Sequence, residues 1–290
     1  MENKKSIVYF SSNISGEELE KIVEKLDFKP TGKVAIKVHS GEKGNQNFIR
    51  PEFYKELVNH YDGTIVECNT AYDGERNTSE KHTKLLEENG WSKLYNVDLL
   101  DKDEEKELEI PNGKKIKKNF VGANMFNYGS MIVVSHFKGH PMGGYGGALK
   151  NISIGLASSH GKAYIHGVGK PEDLWTADHD SFLESIADAA SSVASHFKDK
   201  IVYVNIMKNM SVDCDCCAVA EDPCMKDIGI LASTDPVALD KACLDLVYSS
   251  DDPGKDRLIE RIESRNGIHT TLSAESLGVG TTNYELIKID

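Results

Sequence analysis

The alternation of short β-type apolar runs with amphipathic helices constrains this chain more than any other feature. Ile7–Phe10, Val34–Val38 and Thr64–Cys68 are strand-like runs. Between and after them come Glu17–Leu26, a segment from Pro51 to about His60, and Ser79–Glu88. Leu19, Ile22, Val23 and Leu26 share one helical face. Pro51 suits a first helical turn, and Asn89-Gly90 is a helix stop. Strands separated by helices require right-handed crossovers, which build parallel sheets. The expected fold class is therefore α/β, a largely parallel open sheet with helices on both faces. In such a sheet the loops after Val38, Cys68 and Ser135 would converge along one edge.

Further along, 95–128 changes to charged β-like pieces around Pro111-Asn112-Gly113 and reads as an inserted antiparallel arm. Asp178–Phe197 carries a broad apolar stripe, with Asp178 or Asp180 as its N-cap. Strands are expected at Ile201–Ile206, Ile228–Ala232 and Tyr284–Ile287. A helix should start at Asp235-Pro236 and reach about Tyr248, and a charged one should cover Lys255–Ser264. At Asp235 and Asp240, capping and surface roles outweigh catalysis. The 290 residues suit a single α/β domain over 1–290, or two lobes with a boundary near 170.

Composition excludes several classes. Apolar residues at 39% and charged residues at 28% describe a globular chain, and no run reaches the roughly 18–20 apolar residues of a membrane span. The N-terminal MENKKSIVYFSSNISGEE has only a four-residue apolar run, unlike a signal peptide, so a cytoplasmic location and no membrane partner are expected. The net charge, 34 − 46 = −12, argues against a nucleic-acid partner. The basic cluster Lys114, Lys115, Lys117 and Lys118 reads as a solvated hairpin arm. Six cysteines without an export signal do not suggest a disulfide framework. Cys68 and Cys243 lie in apolar patterns and read as buried thiols.

Chemistry concentrates in residues 131–162, MIVVSHFKGHPMGGYGGALKNISIGLASSHGK. A strand here empties into a Gly-rich loop with a helix behind it, the arrangement by which open α/β sheets hold ligands. It is neither a P-loop, since Lys150 follows Ala148-Leu149, nor a dinucleotide fingerprint, since Leu149 stands where the third glycine belongs. His136, His140 and Lys150 are the candidate catalytic residues, for proton transfer or metal ligation. Candidate ligand-binding residues are Lys37, His39, Lys138, Gly143, Gly144, Gly146, Gly147, Asn151, His160, Lys162 and His166. In this reading lysines neutralise a small anionic molecule and loop N–H groups hydrogen-bond it. The plainer reading is a tight turn under a helix, with satisfied loop histidines.

The second concentration is NMSVDCDCCAVAEDPCMKD, where Cys214, Cys216, Cys217 and Cys224 are spaced C-x-C-C-x6-C. Thiolates are soft ligands suited to zinc, iron–sulfur clusters or copper(I). The spacing matches neither C-x2-C pairs nor the ferredoxin run. The expected cofactor is a metal ion or iron–sulfur cluster of unspecified identity. Adjacent Cys216 and Cys217 would point apart in a strand, so at most three of the four would share an ion. A redox thiol pair, or thiols without a ligand, are the alternatives.

At HFKGHPMGGYGGALKN the sequence resembles the family called domain of unknown function 362. The resemblance continues in DCDC followed by DIGILASTDPVALDKACLDLV, and in VAIKVHSG with TIVECN, so it spans from about Lys33 onward. It implies kinship with iron–sulfur proteins, many of which carry a ferredoxin-type cysteine insertion before the helix that here begins near Asp178. This chain has none, and the two-cluster electron-transfer reading does not carry over. Cys214 and Cys216 match the family element; Cys217 and Cys224 have no counterpart in it. Residues and resemblance together lead to a metal- or iron–sulfur-binding, redox-related protein with a pocket for a small anion and, as the candidate macromolecular partner, a redox protein. Two other readings stay open: a hydrolase or lyase with histidine-held zinc, and a non-catalytic metal or electron carrier.

Overall fold

The computed structural model describes residues 5–290. Its elements in chain order begin with β1 (Ser6–Ser11), α1 (Gly16–Glu24), β2 (Val34–Lys37), α2 (Lys55–Tyr61), β3 (Thr64–Glu67), α3 (Ser79–Glu88), α4 (Trp91–Leu94) and β4 (Val97–Leu99). Next come β5 (Glu105–Glu109), β6 (Lys118–Gly122), β7 (Ser130–His136), β8 (Lys138–His140), β9 (Gly144–Gly146), α5 (Ala148–Ser153), α6 (Ser159–His166) and α7 (His179–Phe197). The chain closes with β10 (Ile201–Met207), β11 (Gly229–Ser233), α8 (Pro236–Ser249), α9 (Lys255–Ser264), α10 (Ile268–Ser276) and β12 (Tyr284–Lys288).

Eight strands form one sheet in the order β12-β1-β11-β10-β7-β2-β3-β4. Neighbours from β10 to β4 are all parallel, and β1 is parallel to β12. β11 is antiparallel to both β1 and β10, so it alone runs against the other seven. Strands from either side of residue 170 share this sheet. Its central strands alternate between two cores: Met131 and Val133 of β7 face one, Ile132 and Val134 the other. Covered on both faces, they read as continuous apolar runs. At 25 cal/mol per Å², burial of each such side chain supplies about 1.5–3 kcal/mol, which holds the layers together. α5, α7, α8 and α10 contribute to the first core, and α1 and α2 to the second.

Cap chemistry sets the helix starts. Ser15, Thr78 and Asp178 accept backbone N–H bonds at the heads of α1, α3 and α7, and Asp235 accepts from Val237 and Ala238. The Pro51 segment opens as a 3-10 turn, Pro51–Tyr54, before α2.

Three expectations change. The arm is narrower than 95–128, because Val97–Leu99 joins the main sheet beside β3 and only β5–β6 form the hairpin. Its Lys114–Ile116 turn is pinned: the Asp188 carboxylate accepts from the backbone N–H groups of Lys114, Lys115 and Ile116 at 2.8, 2.6 and 2.9 Å. Asp240 is buried rather than on the surface, and accepts from Ala148 N, Leu149 N and Asn205 Nδ2.

Candidate functional site

β10, β7, β2 and β3 are adjacent and parallel, so their carboxyl ends open onto one edge, where ligands of open α/β sheets lodge. A cavity of about 400 Å³ lies there. Lys37 and His39 follow from β2, Glu67 and Cys68 from β3, and Ser135 and His136 from β7. α5 and α6 wall it with Lys150, Asn151, Lys162 and His166, Leu174 and Trp175 stand at its lining, and Cys214 and Cys216 enter from the loop after β10. The Gly-rich stretch and the cysteine segment thus meet.

Most charge in the site is internally paired. Lys37 bonds Glu67 at 2.8 Å and the Val38 carbonyl. Arg76 bonds Glu42 at 3.1 Å. Asp215 receives Lys138 at 3.0 Å and His136 Nδ1 at 2.9 Å, while His136 Nε2 lies 2.6 Å from the Lys208 carbonyl. Both His136 nitrogens are therefore occupied, and the ring braces β7 against the cysteine loop rather than offering a lone pair. Burial alone would raise the Asp215 carboxyl, but His136, Lys138 and His39 overcome it and hold it far below the usual range. Glu67 behaves likewise: burial opposes, and Lys37, His39 and Arg76 prevail.

The sulfurs of Cys214 and Cys216 and a ring nitrogen of His140 lie within 4.8 Å of one another, a group that could hold a metal ion. Hydrogen bonding defines the tautomer of His140. Its Nδ1 accepts N–H from Met142 at 3.1 Å and Gly143 at 2.9 Å. The ring proton then sits on Nε2, 4.0 Å from Cys216 Sγ. His39 Nδ1 accepts the Gly41 N–H at 3.2 Å, and burial lowers the ring's pKa while Cys214 opposes that shift. Burial, then Lys150, lowers His140 to about 4.

His166 has the opposite tautomer. Its Nδ1 donates to the Lys162 carbonyl at 2.8 Å, leaving Nε2 unprotonated, and its ring stacks on Phe182 with centroids 4.7 Å apart. Burial, then Lys150, brings it also to about 4. Lys162 donates to the Ala157 carbonyl at 2.6 Å. Lys150, half-buried on α5, has no ion pair or side-chain hydrogen bond among the described residues. Asn151 donates to Ser135 Oγ at 3.1 Å.

Other expected site residues lie elsewhere or serve the frame. His160 points outward to Glu105 at 2.9 Å and is 47% exposed at its side chain, off the cavity. Gly143 spends its N–H on His140, and the N–H groups of Ala148 and Leu149 go to Asp240, so the expected anion-binding loop is partly committed. Gly144 (φ +77°) packs where a Cβ would meet Gly267, and a Cβ on Gly147 would strike the Asp240 carboxylate. Gly146 and Gly147 line the cavity; Gly143 and Gly144 do not. Cys224 is off the cavity, its Sγ donating to the Met210 carbonyl at 3.2 Å. Cys217 sits beside Cys216, half-buried, also outside the lining.

Asp215, Glu67, Arg76, Glu42 and Trp175 belong to the site and did not emerge from the sequence. Asp215 had a signal, a carboxylate between two cysteines in DCDC. Glu67 had a weaker one, an acid at the buried end of an apolar strand.

Fold and site define an open-sheet α/β protein whose ligand edge carries a thiol–imidazole pair beside a lysine-lined cavity. Residues 34–245 match the family described as Domain of unknown function (DUF362), and the chain belongs to that family. No curated protein matches its sequence at a significant level. Among solved structures it is similar to the lactate racemase apoprotein from Thermoanaerobacterium thermosaccharolyticum, with 15% identity and a TM-score of 0.39 over 68% of this chain and 50% of that one. It is also similar to a structural-genomics protein from Thermotoga maritima, with 12% identity and a TM-score of 0.43 over 90% of this chain and 58% of that one. The chain spans between 50% and 58% of those neighbours' lengths. No helix among the described residues is long and apolar enough to cross a membrane.

Proposed function

We propose that this protein binds a soft metal ion through Cys214 and Cys216, beside a cationic pocket that receives a small anionic ligand. The observation that carries the reading is the meeting of both sulfurs with His140 within 4.8 Å, at a cavity also lined by Lys138 and Lys150. The donor set supports a thiophilic ion. Asp215, Glu67 and Glu42 are each spent on a cation, so the free donors at the cavity are the two sulfurs and His166 Nε2, and only the sulfurs are grouped within 4.8 Å of each other. The tautomer of His140 makes it an N–H partner of sulfur, a supporting role that orients and tunes the thiolates. Thiolate ligation is also what suits the ion to redox chemistry, with the adjacent pocket placing the anion near it. A hydrolase with histidine-held zinc has less support, because His136 has no free nitrogen and His140 Nδ1 is occupied by backbone.

Elemental analysis and visible absorption of protein purified without oxygen test this reading. Stoichiometric metal is expected, lost in Cys214→Ser and Cys216→Ser and kept in Cys224→Ser. His140→Ala should retain the metal with affinity lowered by roughly 10–100-fold. Metal-free wild-type protein, or metal loss confined to Cys224→Ser, would refute it. A brown sample with iron and sulfide selects a cluster, and a colourless one with zinc selects the single ion.

A further inference from the structure

Of the lysines that line the cavity, one is uncommitted. Lys37 is held by Glu67, Lys138 by Asp215, and Lys162 by the Ala157 carbonyl. Lys150 has no such partner among the described residues, and its stem runs along the cavity wall. A methyl placed on Gly143 would lie 3.6 Å from His140 Nδ1 and 3.7 Å from Lys150 Cδ, so this side chain passes close to His140. His166 is near enough to feel its charge, as is His140. These two rings present complementary atoms: Nε2–H on His140 and an open Nε2 lone pair on His166.

We infer that Lys150 is a nucleophilic amine and that the pocket's ligand is a small anion bearing a carbonyl group, such as a 2-oxo acid, which it captures as an imine. The inference rests on the anionic-pocket reading and adds the chemical class of the ligand. Lys138 and Arg76 line the pocket already paired with Asp215 and Glu42, so they would meet the carboxylate with their remaining N–H donors. The lone pair of Lys150 Nζ attacks the carbonyl carbon, and a C–N bond forms as the C=O π pair moves to oxygen. That oxygen takes up a proton from solvent, because His140 Nε2–H faces Cys216 Sγ. His166 Nε2 accepts the proton released by nitrogen. Loss of the hydroxyl with a proton, as water, leaves C=N, so amine plus carbonyl gives imine plus water with no oxidant or reductant. Burial favours the neutral, nucleophilic amine, against the opposing pull of Cys214 and Cys216.

The test uses the full chain in its metal state as isolated, with pyruvate as the reactive probe and oxalate as an unreactive dianion of similar size. Trp175, 64% exposed at the cavity lining, reports occupancy by fluorescence, while Trp91 is fully buried. Treatment with pyruvate and cyanoborohydride should give one reduced adduct, mapped to the Lys150 peptide and absent from other lysines. Lys150→Arg removes the nucleophilic amine while keeping a long cationic side chain, and should lose the adduct while still responding to oxalate. An oxalate response without an adduct, or adducts scattered over surface lysines, would overturn the imine and leave the anion pocket standing. No response to either probe would overturn both.

Discussion

Glu67 shows how much a single side chain can hold at this edge. Its carboxylate takes Lys37 Nζ at 2.8 Å and the Ser40 N–H at 2.9 Å, and Lys37 is 1% exposed. Glu67→Ala would strand an ammonium in the core, where removing one partner of a buried pair costs about 3–5 kcal/mol. Urea unfolding should show that loss, whereas a double Lys37→Met/Glu67→Leu change should recover most of it. A Glu67→Ala variant within experimental error of wild type would show that the pair is solvated. Residues of this kind are nearly invisible in sequence. Lys37 and Glu67 are 30 positions apart, and His136 and Asp215 are 79 apart. No local periodicity links them. Lys37 carries a local signal of its own, since a lysine inside a parallel strand is buried unless it reaches the ligand edge. His160 went the other way: its position beside Lys162 suggested the pocket, but the turn of α6 aims it outward at Glu105.

At the scale of elements, legibility followed periodicity. β2, β3 and β7 are buried on both faces and α7 carries a long apolar stripe, so each was evident from residue types alone. The β8–β9 hairpin and α6 fall in the Gly-rich stretch, where glycine blurs both the two-residue and the 3.6-residue repeat. β4 is three residues long and was absorbed into the arm. The arm itself depends on a contact outside it. Asp188→Ala removes the acceptor of three backbone N–H groups at the Lys114–Ile116 turn, and leaving such donors unpaired costs about 1–3 kcal/mol each where water cannot reach. Faster amide exchange at residues 114–116, with β7 and β10 unchanged, is the expected result; unchanged exchange there would mean that the turn holds itself.

For the molecule as a whole, buried histidines set its response to acid. His82, fully buried between Ser40 and Asn69, is lowered by burial from 6.5 to about 3, and His140 and His166 are lowered to about 4. Between pH 6.5 and about 4 the unfolded chain binds protons that the folded chain refuses. Stability is therefore fully present above 6.5 and falls as pH drops through that window, by up to about 1.4 kcal/mol per pH unit for each histidine. Asp215 and Glu67 extend the loss. Their folded pKa values lie below the ordinary 3.8 and 4.5, so their contribution is complete above those values and fades as pH falls beneath them. A urea midpoint that declines steadily from pH 6.5 downward checks this; a midpoint flat to pH 4 would contradict it.

The place of β1 in the sheet has a kinetic meaning. This strand is among the first residues of the chain, yet both of its partners, β11 and β12, are drawn from Gly229 onward. During synthesis the segment Ser6–Ser11 must wait with two open hydrogen-bonding edges while more than two hundred residues emerge. An open strand edge is a template for pairing with another chain. Ile7, Val8, Tyr9 and Phe10 are all uncharged strand formers that favour this error, and the neighbouring Lys4 and Lys5 are the charges that oppose it until β11 and β12 arrive.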